Sequence, residues 1–274
     1  MKHTQTEVPD LLRQAADQVK RQHLGDLELF LIREKAISIE VFNQNIDTFQ
    51  FSQTQGIGLR LINSGRCGYA FTEKLDKLSL EEAINQAKAN TAILEPDHDC
   101  SLAKSGYPYP EVELVNEQIT SLPMSEKIDM ALQLEQRAKS YDPKIVNVPS
   151  SSYSEKSREI LIINSLGLEA SYVTNGAGLA LDVMAQQEGE TKSAYKIKTS
   201  RVLEELNCFE LADAAAKEGV DLLGAKNIST GHYPIVFTPT TGRQILGAFW
   251  PMFSAKNVQE AKSLLAGKLM QQIA

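Results

Sequence analysis

Residues 56–71 read GIGLRLINSGRCGYAF, an alternation of side chains broken by Asn63, Ser64 and Gly65 and then resumed. Period-two alternation on both sides of a short turn specifies a β-hairpin. It puts Ile57, Leu59 and Leu61 on the apolar face of one arm and assigns Tyr69 and Phe71 to that of the other. A related phrase, ILIINSLGLEASY, occupies residues 160–172. The chain therefore reads as two strand-turn-strand units, each followed by a helix, and not as a single nucleotide-binding fold.

Working outward, Leu11, Leu12, Ala15, Ala16 and Val19 repeat at helical spacing and predict a helix from Pro9 to His23. Residues 27–33 and 37–42 predict two strands that join the hairpin in an antiparallel sheet. Ser79 and Glu82 form a capping-box pattern, followed by Leu80, Ala83, Ile84, Ala87 and Thr91 as the buried stripe of a helix reaching Ile93. Residues 94–111, with Pro96, Pro108 and Pro110, read as an extended linker or a binding loop. This closes a first region at 1–110.

The second region, 111–274, repeats the theme. A helix follows Pro123 to about Ser140, with Met124, Ile128, Ala131, Leu132 and Ala138 as its apolar positions. Strands are predicted over 145–153, 158–163, 168–172, 176–186 and 192–197, then a helix over 209–223. Gly219 inside that helix costs about 0.8 to 1 kcal/mol relative to Ala, which implies tight packing there or an early break. A short strand at 233–237, a helix from Pro239 to Phe249 capped by Thr238, and helical segments at 258–265 and 268–273 complete the reading. The predicted class is α+β, antiparallel sheets of repeated strand-turn-strand units flanked by helices.

The formal charge of −7 over 274 residues, with no dense Lys/Arg block, argues against a nucleic-acid partner. Cys67, Cys100 and Cys208 are odd in number and widely spaced, which fits a reducing compartment. No apolar run approaches membrane-spanning length and the N-terminus lacks an apolar leader core, so a cytoplasmic location without membrane contact is expected.

Chemistry-bearing motifs are scarce. His3, His23, His98 and His232 are unpaired at i, i+4, and the cluster of Asp97, His98, Asp99 and Cys100 does not converge easily on one ion. Cys67 sits on the hairpin with no base tied to it by sequence, and reads as filler. Gly56-Ile57-Gly58 and Gly176-Ala177-Gly178 lack the third glycine and following helix of a phosphate site. Glu81 with Glu82, and Glu204 with Glu205, are adjacent and do not face each other. No catalytic, cofactor-binding or metal-binding residue is assigned. Trp250 and Phe253, flanked by Phe249, Pro251 and Met252, read as a buried interface within the chain or with another molecule.

As a whole the chain resembles the TldD/PmbA family, the modulators of DNA gyrase. The resemblance rests on residues 56–87, GIGLRLINSGRCGYAFTEKLDKLSLEEAINQA, on the strands at 159–182, and on GHYPIVFTPTTGRQIL at 231–246. It implies an N-terminal α/β region, a β-rich C-terminal domain before which this sequence stops, and an H-E-x-x-x-H zinc motif in TldD-type members. Here the corresponding helix reads TTGRQILGAFWPMF, without His or Glu. The resemblance thus implies a PmbA/TldE-type subunit, zinc-less and not active alone. It would pair with a zinc-bearing TldD-type metallopeptidase, or self-associate, in the processing or degradation of peptides. The alternatives are a stand-alone peptide-binding or structural protein, with a sheet edge or cleft that captures an extended segment, and a metal-dependent hydrolase with an unrecognised site.

Overall fold

A computed structural model describes residues 7–97 and 100–273. His98 and Asp99, and His3, lie outside the described residues. The chain forms two compact units, Met1–Ala225 and Lys226–Ala274.

The first unit runs α1 (Glu7–Arg21), β1 (Asp26–Phe42), β2 (Asn45–Asn63), β3 (Arg66–Thr72) and α2 (Lys77–Ile93). After an irregular stretch come α3 (Glu117–Ser121), α4 (Met124–Tyr141), β4 (Ile145–Asn164), β5 (Glu169–Gln187), β6 (Glu190–Ser200) and α5 (Cys208–Asp221). The six strands form one antiparallel sheet in the order β3-β2-β1-β4-β5-β6. The two predicted strand-turn-strand units are therefore halves of a single sheet, joined where β1 pairs with β4 from Glu28↔Asn164 to Val41↔Ser151. The strands predicted in pieces, 27–33 with 37–42 and 145–153 with 158–163, are continuous.

Three turns set the registers. Asn43 and Gln44 have φ of 50° and 58°, Ser64 and Gly65 of 52° and 73°, and Glu188 and Gly189 of 51° and 86°. Positive φ at both central residues marks two-residue turns whose twist matches that of the strands they join. In the second of these, β2 and β3 pair Leu59 with Ala70 and Leu61 with Gly68. Odd positions of β2 thus share a face with even positions of β3. Tyr69 and Phe71, assigned from sequence to the apolar face, lie on the opposite one, 60% and 78% exposed. Gly68 takes the inward place because α2 passes close above it: a Cβ there would sit 2.1 Å from the Ala87 carbonyl oxygen.

The phrase at 160–172 joins β4 to β5 and so matches the β1–β2 turn in position, not the β2–β3 hairpin it resembles in sequence.

All four long helices cover one face. One core gathers Leu12, Ala16 and Val19 of α1 with Leu80 and Ala87 of α2 over Leu27, Leu29, Leu31, Ile57 and Leu61. The other gathers Ala131, Leu134 and Ala138 of α4 with Ala212, Ala215 and Ala216 of α5 over Ile39, Val41, Leu179, Leu181 and Val183. The stripe predicted for α2 is the one buried, but its cap is Asp76, which accepts from the Ser79 N–H at 2.9 Å. Gly219 is tightly packed, its absent Cβ 3.3 Å from Val183 Cγ2.

The second unit holds α6 (Pro239–Phe249), a 3₁₀ turn at Trp250–Phe253 and α7 (Ala255–Gln259). Residues 233–237 pair with no strand among the described residues, and 260–273 form turns in place of the two predicted helices. Within the first 225 residues such segments pair with or pack on the six-stranded sheet; among the described residues of 226–273 there is no strand. No helix among the described residues is long and apolar enough to cross a membrane.

Candidate functional site

The α6 region is the part of the chain where the family resemblance would place chemistry. Thr238 caps the helix, accepting from the Thr241 N–H at 3.3 Å while its carbonyl accepts from the Gly242 N–H at 2.8 Å. Pro239 then starts the helix with no donor lost. Phe237, Thr238, Pro239, Gly242, Arg243, Leu246, Gly247 and Trp250 line a groove of about 660 Å³. Its polar groups are the Thr238 hydroxyl and the Arg243 guanidinium. Neither supplies a carboxylate, imidazole or thiolate, the donors zinc prefers.

Elsewhere, the described residues contain no group of three or more His, Cys, Asp or Glu placed to hold an ion. His232 and His23 are brought together with no such group. Cys67 lies beside Cys100, which the linker carries to the hairpin: the Asp97 N–H donates to the Gly65 carbonyl at 2.7 Å, and the Cys100 N–H to that of Asp97 at 3.2 Å. Burial, and then hydrogen bonding with Cys67, push the Cys100 thiol up to about 11. A thiol so shifted stays protonated at neutral pH and is a poor nucleophile. Glu81 and Glu82 sit on α2, and Glu204 and Glu205 in the 3₁₀ turn Leu203–Glu205, without forming a catalytic pair.

Two ionic groups that sequence reasoning missed are buried in the second half of the sheet unit. Lys127 of α4, 3% exposed, contacts Glu155 at 2.7 Å, and the Tyr153 hydroxyl donates to the same carboxylate at 2.8 Å. Burial, with the neighbouring carboxylate, raises the Tyr153 pKa, so this phenol is a fixed donor. Glu135, 0% exposed, accepts from the Asn43 N–H at 2.8 Å, the Gln44 N–H at 2.7 Å and Lys139 at 2.7 Å. Desolvation alone would raise its pKa, but Lys139 and the donors of Gln44 outweigh it and the net shift is downward. Both groups tie strands to α4. They sit in the Lys127–Tyr141 register of a helix whose charges look solvent-facing in sequence, and only the strand pairing reveals their partners.

Three family models match in order: PmbA/TldA metallopeptidase domain 1 over residues 27–91, the central domain over 117–223 and the C-terminal domain over 230–274. The chain belongs to the TldD/PmbA family. Among curated relatives of this TldD/PmbA chain, the metalloprotease PmbA homolog of Haemophilus influenzae is 23% identical over 250 residues, covering 90% of this chain and 55% of its own length. The chain thus spans about half the length of the curated relatives it matches. A Thermotoga maritima crystal structure, described as a candidate modulator of a DNA gyrase, superposes with a TM-score of 0.88 at 25% identity, over 96% of this chain and 60% of that one. TldE from Thermococcus kodakarensis shares the fold, with a TM-score of 0.80 at 19% identity over 94% of this chain and 58% of that one.

The zinc helix that the resemblance implies for TldD-type members of the TldD/PmbA family falls on α6. Its sequence, PTTGRQILGAF, offers only threonine, arginine and glutamine as polar side chains. The residues present do not fit a zinc ion there.

Proposed function

We propose that this chain is a zinc-less, PmbA/TldE-type member of the TldD/PmbA family that supports peptide processing or degradation in the cytoplasm as the partner of a zinc-bearing TldD-type subunit. Metal-assisted hydrolysis needs a polarising ion and an activated water. What carries the reading is the replacement of the H-E-x-x-x-H pattern by TTGRQILGAFWPMF on and after α6. Family membership and the metalloprotease names of relatives support the peptide substrate class. The free thiols of Cys67, Cys100 and Cys208 are consistent with a reducing compartment. The apolar side chains Leu246, Phe249 and Trp250, which their own unit leaves uncovered, suit burial in an assembly.

The test is native mass with and without a TldD-type partner. A stable heteromer is expected. A chain that stays monomeric beside every such partner, yet binds peptide, would favour the stand-alone binder instead.

A further inference from the structure

The strongest unexplained feature of Met1–Ala225 is a length of sheet edge to which, among the described residues, no strand is paired. β2 spans Asn45–Asn63, but β3 pairs only with Ile57 to Asn63. From 45 to 56, β2 has β1 on one side and, among the described residues, no strand on the other. Asn45 to Phe51 and Gln53 to Gln55 are exposed.

Which backbone groups point out follows from the turns. Residues flanking a two-residue hairpin turn exchange both hydrogen bonds, and alternate residues of a strand point their N–H and C=O the same way. Asn63 opposite Arg66 is such a pair, so the odd residues of β2 face the β3 side. Carried along the strand, Phe49, Phe51, Gln53 and Gln55 present N–H and C=O to the open edge.

The other half of the sheet shows what an occupant looks like. Asn63 opposite Arg66, before the β2–β3 turn, corresponds to Gln187 opposite Glu190, before the β5–β6 turn, a shift of 124 positions from β2 to β5, from 63 to 187. Phe51 then corresponds to Asn175. At Asn175 the β5 edge, beyond the reach of β6, is covered by an extended piece of this chain. The Asn175 N–H donates to the Leu114 carbonyl at 3.3 Å, and its side chain brackets Asn116, accepting from the N–H at 2.8 Å and donating to the carbonyl at 2.7 Å.

Proteins blunt free edges with lysine, proline or a bulge. β6 carries Lys192, Lys196 and Lys198. On β2 the bulge at Asp47 guards one end only, and TFQFSQTQG, residues 48–56, has no charge and no proline. Phe49 and Phe51 are 49% and 57% exposed on that stretch. On its other side Phe51 borders a cavity of about 280 Å³ over the middle of the sheet, lined also by Lys35, Ile37, Ile119, Glu155 and Lys156, so its ring stands between that cavity and the open edge.

We propose that the β2 edge over residues 48–56 binds an extended peptide as an added strand. Backbone pairing runs to Phe49, Phe51 and Gln53, and an apolar side chain of the peptide packs on the exposed ring of Phe51. Strand addition draws affinity from main-chain bonds and selectivity from alternate side chains. The peptide class is an extended segment of alternating apolar and uncharged residues. A single segment fits better than a second copy of the chain, because the equivalent β5 edge is closed by three or so residues of extended chain and not by a sheet. The site lies within Met1–Ala225 and does not rest on the zinc-less reading.

The probe is a fluorescent heptapeptide of alternating valine and threonine with lysine at both ends, titrated into the whole chain by anisotropy. Saturable binding is expected. It should weaken at least tenfold when three consecutive central residues of the peptide are N-methylated, which blocks pairing through either peptide edge. It should weaken similarly with Phe51→Pro, which removes one outward donor and leaves the β1 ladder intact. Equal binding of the N-methylated peptide to the unaltered chain would overturn the proposal, whatever the folding of the variant. So would the absence of binding, or a homodimer that Phe51→Pro dissociates and that peptide does not compete with.

Discussion

The two halves of the sheet unit share an α-β-β-β-α order and opposite solutions to the same packing problem. In the first half a strand glycine makes room for a helix: Gly68 of β3 admits the α2 backbone, and a Cβ would meet Ala87 O at 2.1 Å. In the second a helix glycine makes room for strands: Gly219 of α5 faces Val183, Ala185 and Ala194 at 3.3, 3.7 and 3.8 Å. The second half also holds ionised groups in its helix–sheet interface, Lys127 with Glu155 and Glu135 with the β1–β2 turn. The first half is fixed by shape and the second partly by charge. That difference makes them separable by mutation and by pH.

The largest effect is expected from Lys127→Met. It strands the Glu155 carboxylate, 12% exposed, beside the Tyr153 hydroxyl. Breaking a buried pair from one side costs about 3–5 kcal/mol. Thermal or urea unfolding measures it, and Lys127→Met combined with Glu155→Leu should recover much of the loss. A double variant no better than the single would remove charge from the account of the second half.

Gly68→Ala should follow closely. Overpacking usually costs 1–3 kcal/mol, and about 3 kcal/mol is expected here because the opposing atom is backbone and cannot rotate away. Hydrogen exchange should localise the loosening to α2 and β3. A neutral substitution would mean that α2 shifts freely and that shape does not fix the first half.

Glu135 supplies the pH arm of the comparison. Its folded pKa is depressed below the ordinary 4.5, so its stabilisation is fully present above about 4.5 and is lost as pH falls through the lower folded value. On acidification the turn at Asn43 and Gln44 should release from α4, read by amide exchange at those residues. Glu135→Gln should cost about 1.5–3 kcal/mol at neutral pH, the worth of hydrogen bonds to a charged group, and flatten that pH dependence. An unchanged slope would show that another carboxylate carries it.

Gly219→Ala is the smallest. The helix gains about 0.8–1 kcal/mol of propensity, while Val183 Cγ2 at 3.3 Å has to yield by a few tenths of an ångström. A net change within about 1 kcal/mol is expected. A loss as large as that of Gly68→Ala would make the two glycines equivalent and erase the contrast.

Local signals were legible in the sequence where one residue's neighbours decide the outcome. The hairpin turn at Ser64 and Gly65, the α2 stripe from Leu80 to Thr91 and the Thr238 cap all follow from period or residue type, whereas Gly219 left tight packing and an early helix break open until the strands facing it were placed. What failed was set at a distance. The face of Tyr69 and Phe71 depends on the odd-to-even register across a two-residue turn, and the union of two expected sheets into one depends on β1 meeting β4 more than a hundred residues away. Lys127 and Glu135 look like surface charges on a helix until the strands beneath them are placed. For the functional region, what the sequence offers on α6 is PTTGRQILGAF, without His, Cys, Asp or Glu, and the zinc-less role proposed from it awaits the metal and turnover measurements. The open β2 edge was not visible in it, because an edge is defined by a strand that ends early.

The most direct measurement of the central claim is zinc content and peptide turnover by the isolated chain, followed by turnover after a TldD-type partner is added. The account predicts no stoichiometric zinc and no zinc-dependent cleavage of an unstructured peptide by the chain alone, with cleavage appearing in the mixed assembly. One zinc per chain, accompanied by robust zinc-dependent turnover without a partner, would contradict it.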